Sequence, residues 1–353
     1  MTVMTSLRRS AAAALGVTLA LPLTAALTAS AAAAPAAPVS AAASYEAITA
    51  WGSEPEVPWV IDGELRDGPQ RVALGLESVY ALERTLDGWL VTGDDGSGYQ
   101  AFLVRPDGSK TALGRRMSDI AVAEGDRRVV QVRGYSELQR VTVHRAADGE
   151  QIASRRFRYP RVLAMRGSKV LMSVTGGRDR RTFWWDISSD RTRRVVSRPG
   201  ISADLSAGRL VLADPRGGPC NQSLVRLHHP KRVLKQMRTL TVTGWNATDD
   251  TMLLGECYYD EPYQRSVVIR RDPDQRTLAH MSTNPRRGDK FGPAVWESSK
   301  TWLHVRYDDA RAFIERCNKR TTRCERAIPA QESVVDPIDG SLTKPQIVLG
   351  TLF

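Results

Sequence analysis

The chain has 353 residues, 27 of them glycine and 19 proline, and 50 lysines and arginines against 39 acidic residues leave a net charge of +11. The arginines are scattered as pairs beside turns, as in RTRR at 191–194, without the stacked aromatic motifs of nucleic-acid modules, so no nucleic-acid partner is expected. A basic balance of this kind still suits an anionic polymer or surface.

In chain order, Arg8 and Arg9 give a positive start, AAAALGVTLALPLTAALTA follows as an apolar stretch, and Ala29-Ser30-Ala31 fits a small-residue cleavage site. Residues 1–31 therefore read as an export signal that is removed, leaving no transmembrane anchor and a secreted or extracytoplasmic chain. The adjacent arginines also raise a twin-arginine route, yet Ser10 and alanines follow them rather than bulky residues. Residues 32–44, an Ala/Pro/Ser tract, have too few large apolar side chains to offset ordering and read as a disordered tether. The single folded domain is expected over 45–353.

Within that domain, turns at Asp67-Gly68, Asp107-Gly108, Asp148-Gly149, Ser189-Asp190, Pro230-Lys231, Pro273-Asp274 and Asn318-Lys319 recur at spacings of 40, 41, 41, 41, 43 and 45 residues. A second series, a polar turn followed by an apolar strand, begins at 87, 126, 167, 207, 249 and 299. Two interleaved series at one period predict a repeated unit of four strands, A to D, as in DIAVAE, RRVVQV, QRVTVHR and QIASRRF. The fold class is all-β: a propeller of seven four-stranded blades. The hairpin WVIDGELRDGPQRVAL has no inner strands before it, and PQIVLG at 345–350 falls where an inner strand is due. The ring is therefore expected to close by pairing its N- and C-terminal strands, the last blade combining C-terminal inner strands with that N-terminal outer hairpin.

In period, turn placement and export signal, residues 45–353 resemble the secreted bacterial β-propellers, TolB-like and WD-repeat-like. The resemblance implies architecture and hardly any function. Trp185-Asp186 lacks the Gly-His partner of a WD repeat, and RPDGSKTA lacks the leading Ser and the Trp of a sialidase-type hairpin.

Four cysteines in an exported chain imply disulfides, with three possible connectivities. Cys317 and Cys324 flank the turn of one hairpin, and Cys220 and Cys257 reach the same rim from neighbouring blades, which predicts Cys317 with Cys324 and Cys220 with Cys257. These spacings lack the paired Cys-x-x-Cys or nearby His of a zinc site, so no metal is expected. His144, His228, His229, His280 and His304 fall in no catalytic frame; surface or packing roles are expected, with His228-His229 far from any pocket, and no cofactor is implied.

The loops from strand B to strand C all open onto one face, around the mouth of the central channel. They concentrate Asp94, Asp95, Asp179, Asp214, Asp260, Glu261, Asp308 and Asp309 with Tyr99, Tyr135, Tyr258, Tyr259 and Tyr307. One reading is turn formers and rim caps. The other is a polar and aromatic platform for a carbohydrate, peptide or protein ligand from the cell envelope or its surroundings, with Tyr258, Tyr259 and Asp260 at its centre and Asp94, Asp95, Tyr135, Asp214, Asp308 and Asp309 around them. Asp94-Asp95 and Asp308-Asp309 lack the loop pattern of a calcium site. The expected function is a monomeric, non-enzymatic binding propeller; the alternative is a hydrolase or lyase using loop carboxylates as acid and base.

Overall fold

Near-continuous apolar runs such as WLVTG and KVLMSV form strands buried on both faces, because each sheet packs between two others. The computed structural model describes residues 50–351 apart from 116, 124, 126, 215–219, 247, 249–250, 258–265, 272–275, 283–289, 309–310, 333, 336–341 and 345. The expected signal and tether lie outside the described residues.

Seven antiparallel sheets follow one another around a ring. Blade 1 runs from strand A to strand D as Ser78–Thr85, Gly88–Asp94, Tyr99–Val104 and Lys110–Arg115. Blade 2 is Met117–Val122, Arg128–Arg133, Leu138–Arg145 and Gln151–Arg158, and blade 3 is Pro160–Arg166, Lys169–Val174, Arg181–Asp186 and Arg191–Val196. Blade 4 is Gly200–Asp204, Arg209–Ala213, Gln222–Arg226 and His229–Met237, and blade 5 is Leu240–Trp245, Thr251–Glu256, Ser266–Arg271 and Thr277–Ser282. Blade 6 is Lys290–Trp296, Thr301–Asp308, Arg311–Asn318 and Cys324–Arg326, with Gln331–Glu332 also pairing on its third strand. Val334–Val335 and Leu342–Lys344 form a separate two-stranded ribbon.

Blade 7 closes the ring. Ile347–Leu349 pairs antiparallel with Trp59–Ile61, Val60 opposite Val348, and Glu64–Asp67 and Gln70–Ala73 complete the sheet. The N-terminal segment thus supplies three strands and the C-terminus one, rather than an outer hairpin meeting several C-terminal strands. The reason is a second Asp-Gly turn. Asp62 and Gly63 both have positive φ, 48° and 79°, the geometry of a two-residue hairpin loop, so the segment folds back twice. Among the described residues one other turn differs from expectation: in blade 4 the chain reverses at Leu227-His228, and Pro230-Lys231 already lies within strand D, while the expected turn at Pro273-Asp274 lies outside the described residues.

Seven hydrophobic clusters fill the spaces between blades, and each spans one interface. Val130, Val132, Val141 and Phe157 of blade 2, for example, meet Met165, Met172, Phe183 and Trp185 of blade 3. Residues alternate sides along a strand, so Trp184 faces blade 4 while Trp185 faces blade 2. Each fully buried Val, Leu or Phe contributes roughly 1.5–3 kcal/mol by removal from water. Strand A of blades 1 to 6 shares another feature: its ladder with strand B slips by one extra residue, at Tyr80, Ser118, Leu163, Ile201, Thr243 and within Gly292-Pro293. Such bulges sharpen local twist and re-aim side chains where the sheets crowd together.

Polar contacts tie the seams. The carboxylate of Glu83 in blade 1 accepts the Val122 N–H of blade 2 at 3.0 Å, and that of Asp119 in blade 2 accepts the Val162 N–H of blade 3 at 2.7 Å. Burial pushes the Asp119 carboxyl above its usual range. On blade 6, Arg316 makes a bidentate pair with Glu297 at 2.6 and 2.7 Å and donates to the carbonyls of Ser53 and Glu54, both at 2.9 Å. Glu297 in turn accepts the Glu56 N–H at 2.9 Å, so one buried ion pair pins the segment entering blade 7.

Candidate binding face

The B–C turn of blade 1 is built by its own acids. Asp94 Oδ1 accepts the N–H groups of Gly96 at 2.8 Å and Gly98 at 2.9 Å. Asp95 accepts the Ser97 N–H at 3.0 Å, the Ser97 hydroxyl and the Gln100 amide, and it stands exposed. The Ser97 hydroxyl, with the Ser97 N–H, holds the Asp95 carboxyl below the usual carboxylate range. Asp94 and Asp95 therefore shape a turn, and Asp95 leaves a negative charge in solvent.

Beside this turn lies an aromatic pair that composition alone did not single out. The bulge in strand A turns Tyr80 outward, 55% exposed, against half-buried Tyr99 with ring centroids 5.3 Å apart at 58°. The Ser78 and Tyr80 hydroxyls are 3.3 Å apart. A tilted pair of this kind offers stacking area with polar tips at little entropy cost. The legible signal was spacing: the buried residues Val79 and Leu82 are three apart, where a regular strand would place them two or four apart. Tyr135 in the B–C loop of blade 2 is 67% exposed.

The other residues of this face divide. Asp179 is exposed and pairs with Arg181 two residues on. Asp214 is half-buried, and its N–H donates to the Asn221 carbonyl at 2.7 Å. Asp308 ends strand B of blade 6 opposite Arg311. Tyr307 belongs to the core, not the rim. It is buried with Val305, Ala312 and Phe313 because its side chain shares the face of strand B that packs on blade 7. Tyr258, Tyr259, Asp260, Glu261 and Asp309 lie outside the described residues.

Cysteine and histidine placement adds structure. Cys220 of blade 4 is bonded to Cys257 of blade 5, and Cys317 to Cys324 across the last hairpin of blade 6. His304, fully buried, stacks on Trp302, meets Phe291 edge-on and lies 2.8 Å from Glu315. Cys317 lies close to that pair, but its sulfur is held in the disulfide, which leaves two groups rather than three to ligate an ion. His144 is buried between Thr142 and the Gly149 carbonyl, and burial lowers its pKa. His228 and His229 are not far from any pocket: with the reversal at Leu227-His228, both line a groove between blades 3 and 4.

No sequence-family model matches the chain, and no curated protein matches it. Solved structures do. The β-propeller domain of Myceliophteria thermophila Cps50 (Swd1) superposes with a TM-score of 0.52 at 9% identity, over 77% of this chain and 90% of that one. The WD40 domain of Toxoplasma gondii coronin gives 0.49 at 12% identity, over 80% and 79%. TolB from Acinetobacter baumannii gives 0.45 at 11%, over 77% and 66%. At such identities the likeness is one of architecture, and the chain is a β-propeller distantly similar to these.

Proposed function

We propose that the chain is an exported scaffold that captures a cell-envelope or extracellular ligand, a carbohydrate, peptide or protein, on its B–C face without transforming it. The observation that carries this reading is the outward Tyr80–Tyr99 pair beside a solvated, ionised Asp95. Exposed rings with polar tips are the usual anchors of recognition surfaces. An acid–base enzyme would want a pocketed carboxyl raised toward neutral pH; Asp95 is displaced the other way, and Asp119, whose carboxyl burial does raise, is engaged by the Val162 N–H at the seam between blades 2 and 3.

The test is retention of the purified protein on washed, protein-free envelope polymer and on arrays of envelope peptides. Replacing Tyr80, Tyr99 and Tyr135 together with alanine should weaken capture by about 2 kcal/mol, roughly thirtyfold, if the rings act as anchors. Replacing Asp148, Glu150 and Gln151 on the outer hairpin of blade 2 should leave it unchanged. Equal retention by both triple variants refutes the assignment of this face.

A further inference from the structure

Two grooves cut the outer wall of the propeller on either side of blade 3, and their charges differ. The groove between blades 2 and 3, about 450 Å³, carries arginines on both walls with Glu137 and Asp179 among them, and Asp190 pairs with one of its arginines from outside the lining. Arg158 pairs with Glu137 at 3.2 Å, Arg155 with Asp190 at 3.0 Å, and Arg181 with Asp179. The groove between blades 3 and 4 is larger, about 1050 Å³, and among the described residues no carboxylate lines it.

Its walls come from the edge strand of blade 3 and the last hairpin of blade 4. Strand D of blade 3 brings Arg194, and the last hairpin of blade 4 brings Arg226, His228, His229, Lys231 and Arg232, all of them exposed. Half-buried Val195 and Val196 also line it. Arg198, a further cation here, is committed internally: it donates to the Ala213 carbonyl at 3.0 and 3.2 Å and to the Ser223 hydroxyl at 3.0 Å. Charges on edge strands protect against edge-to-edge pairing. That role is met in the neighbouring groove too, where three of the five lining arginines pair with carboxylates, and it does not call for cations converging with no carboxylate among them.

We propose that this groove binds a linear, phosphate-bearing polymer other than a nucleic acid, recognised through its phosphates alone. Four permanent cations facing one space repel one another, and a bound polyanion converts that repulsion into attraction. Guanidinium forks match phosphate oxygens in pairs, and three of the four are arginines. Cations spread over both walls of a groove of this size suit a chain of phosphates rather than one small ion. The site is separate from the B–C face, and its occupancy does not depend on that reading.

The probe is inorganic polyphosphate, titrated into the purified protein at rising salt. With four phosphate contacts and single-strand counterion behaviour, binding should weaken roughly fiftyfold between about 50 and 200 mM salt. In the variant Arg226→Gln/Lys231→Gln/Arg232→Gln, only Arg194 remains and the same change should cost about threefold. The melting curve should match the parent, because the three side chains are exposed. Arg156→Gln/Arg178→Gln in the neighbouring groove should bind as the parent does. An unchanged salt slope in the groove variant overturns the proposal, as does a loss of binding in the neighbouring-groove variant equal to that in the groove variant. Tighter binding to oligothymidylate of equal phosphate number would point to recognition of bases, and tighter binding to phosphatidylglycerol vesicles to a membrane surface; either result overturns it too.

Discussion

Arg316 and Arg226 both sit on the third strand of a blade, and their surroundings could hardly differ more. Arg316 lies almost buried against Glu297, shares Glu325, and holds two carbonyls of the segment that enters blade 7; the carboxylates raise its pKa further still. Arg226 stands exposed in a groove that no described carboxylate lines. Arginine count therefore says little in this chain. What surrounds each guanidinium separates a structural clamp from a surface available to a partner.

The sharpest way to break this comparison is at the closing seam itself. Deleting 347–353 removes the strand that pairs with Trp59–Ile61 and exposes the edge of blade 7, so the cooperative melt should be lost and aggregation should follow. A truncated protein that melts like the parent would contradict closure by this strand. Next in size, Glu297→Ala leaves the Arg316 charge buried without its bidentate partner and should cost about 3–5 kcal/mol in urea unfolding. The triple glutamine change in the groove should move stability by no more than about 0.5 kcal/mol. Similar losses for the two would erase the distinction between clamp and groove.

A covalent seam sharpens the picture further. Cys220–Cys257 joins blade 4, which carries the groove, to blade 5 across a separation of 37 residues. By chain entropy, replacing both cysteines with serine should cost up to roughly 4 kcal/mol, against up to roughly 2.5 kcal/mol for Cys317 and Cys324. Denaturant midpoints of the two double variants give the order.

The smallest effect concerns Asp119. Its folded pKa is raised by burial above the unfolded value near 3.8, so its favourable contribution is complete below that pH and is lost as pH rises through the folded pKa. Asp119→Asn can still accept the Val162 N–H and removes that loss. Its melting temperature relative to the parent should rise from pH 4 to pH 7, and parallel profiles would count against a raised pKa.

The blade repeat was legible because turns and B strands carry strong local chemistry: Asp107-Gly108 and the apolar run after Gly88 both announce themselves. The closing blade departs from expectation by one turn, because Asp62-Gly63 lies so close to Asp67-Gly68 that three short strands resemble one hairpin in the sequence. Tyr307 looked like a rim residue by its place in the string RYDDARA, but side-chain alternation sends it into the core. Tyr80 was hidden for the converse reason, since a bulge breaks the alternation on which such a reading rests. The groove at His228 and His229 was illegible because it joins strands of two blades about thirty-five residues apart.

Capture of a ligand without its transformation is the proposed function. Incubating the protein with washed envelope polymer, while measuring both the protein retained and the sugars or amines released into solution, tests it most directly. The account predicts retention that falls when Tyr80, Tyr99 and Tyr135 are replaced, with no release above a protein-free control. Release that depends on the protein and disappears in Asp94→Asn/Asp95→Asn would contradict it.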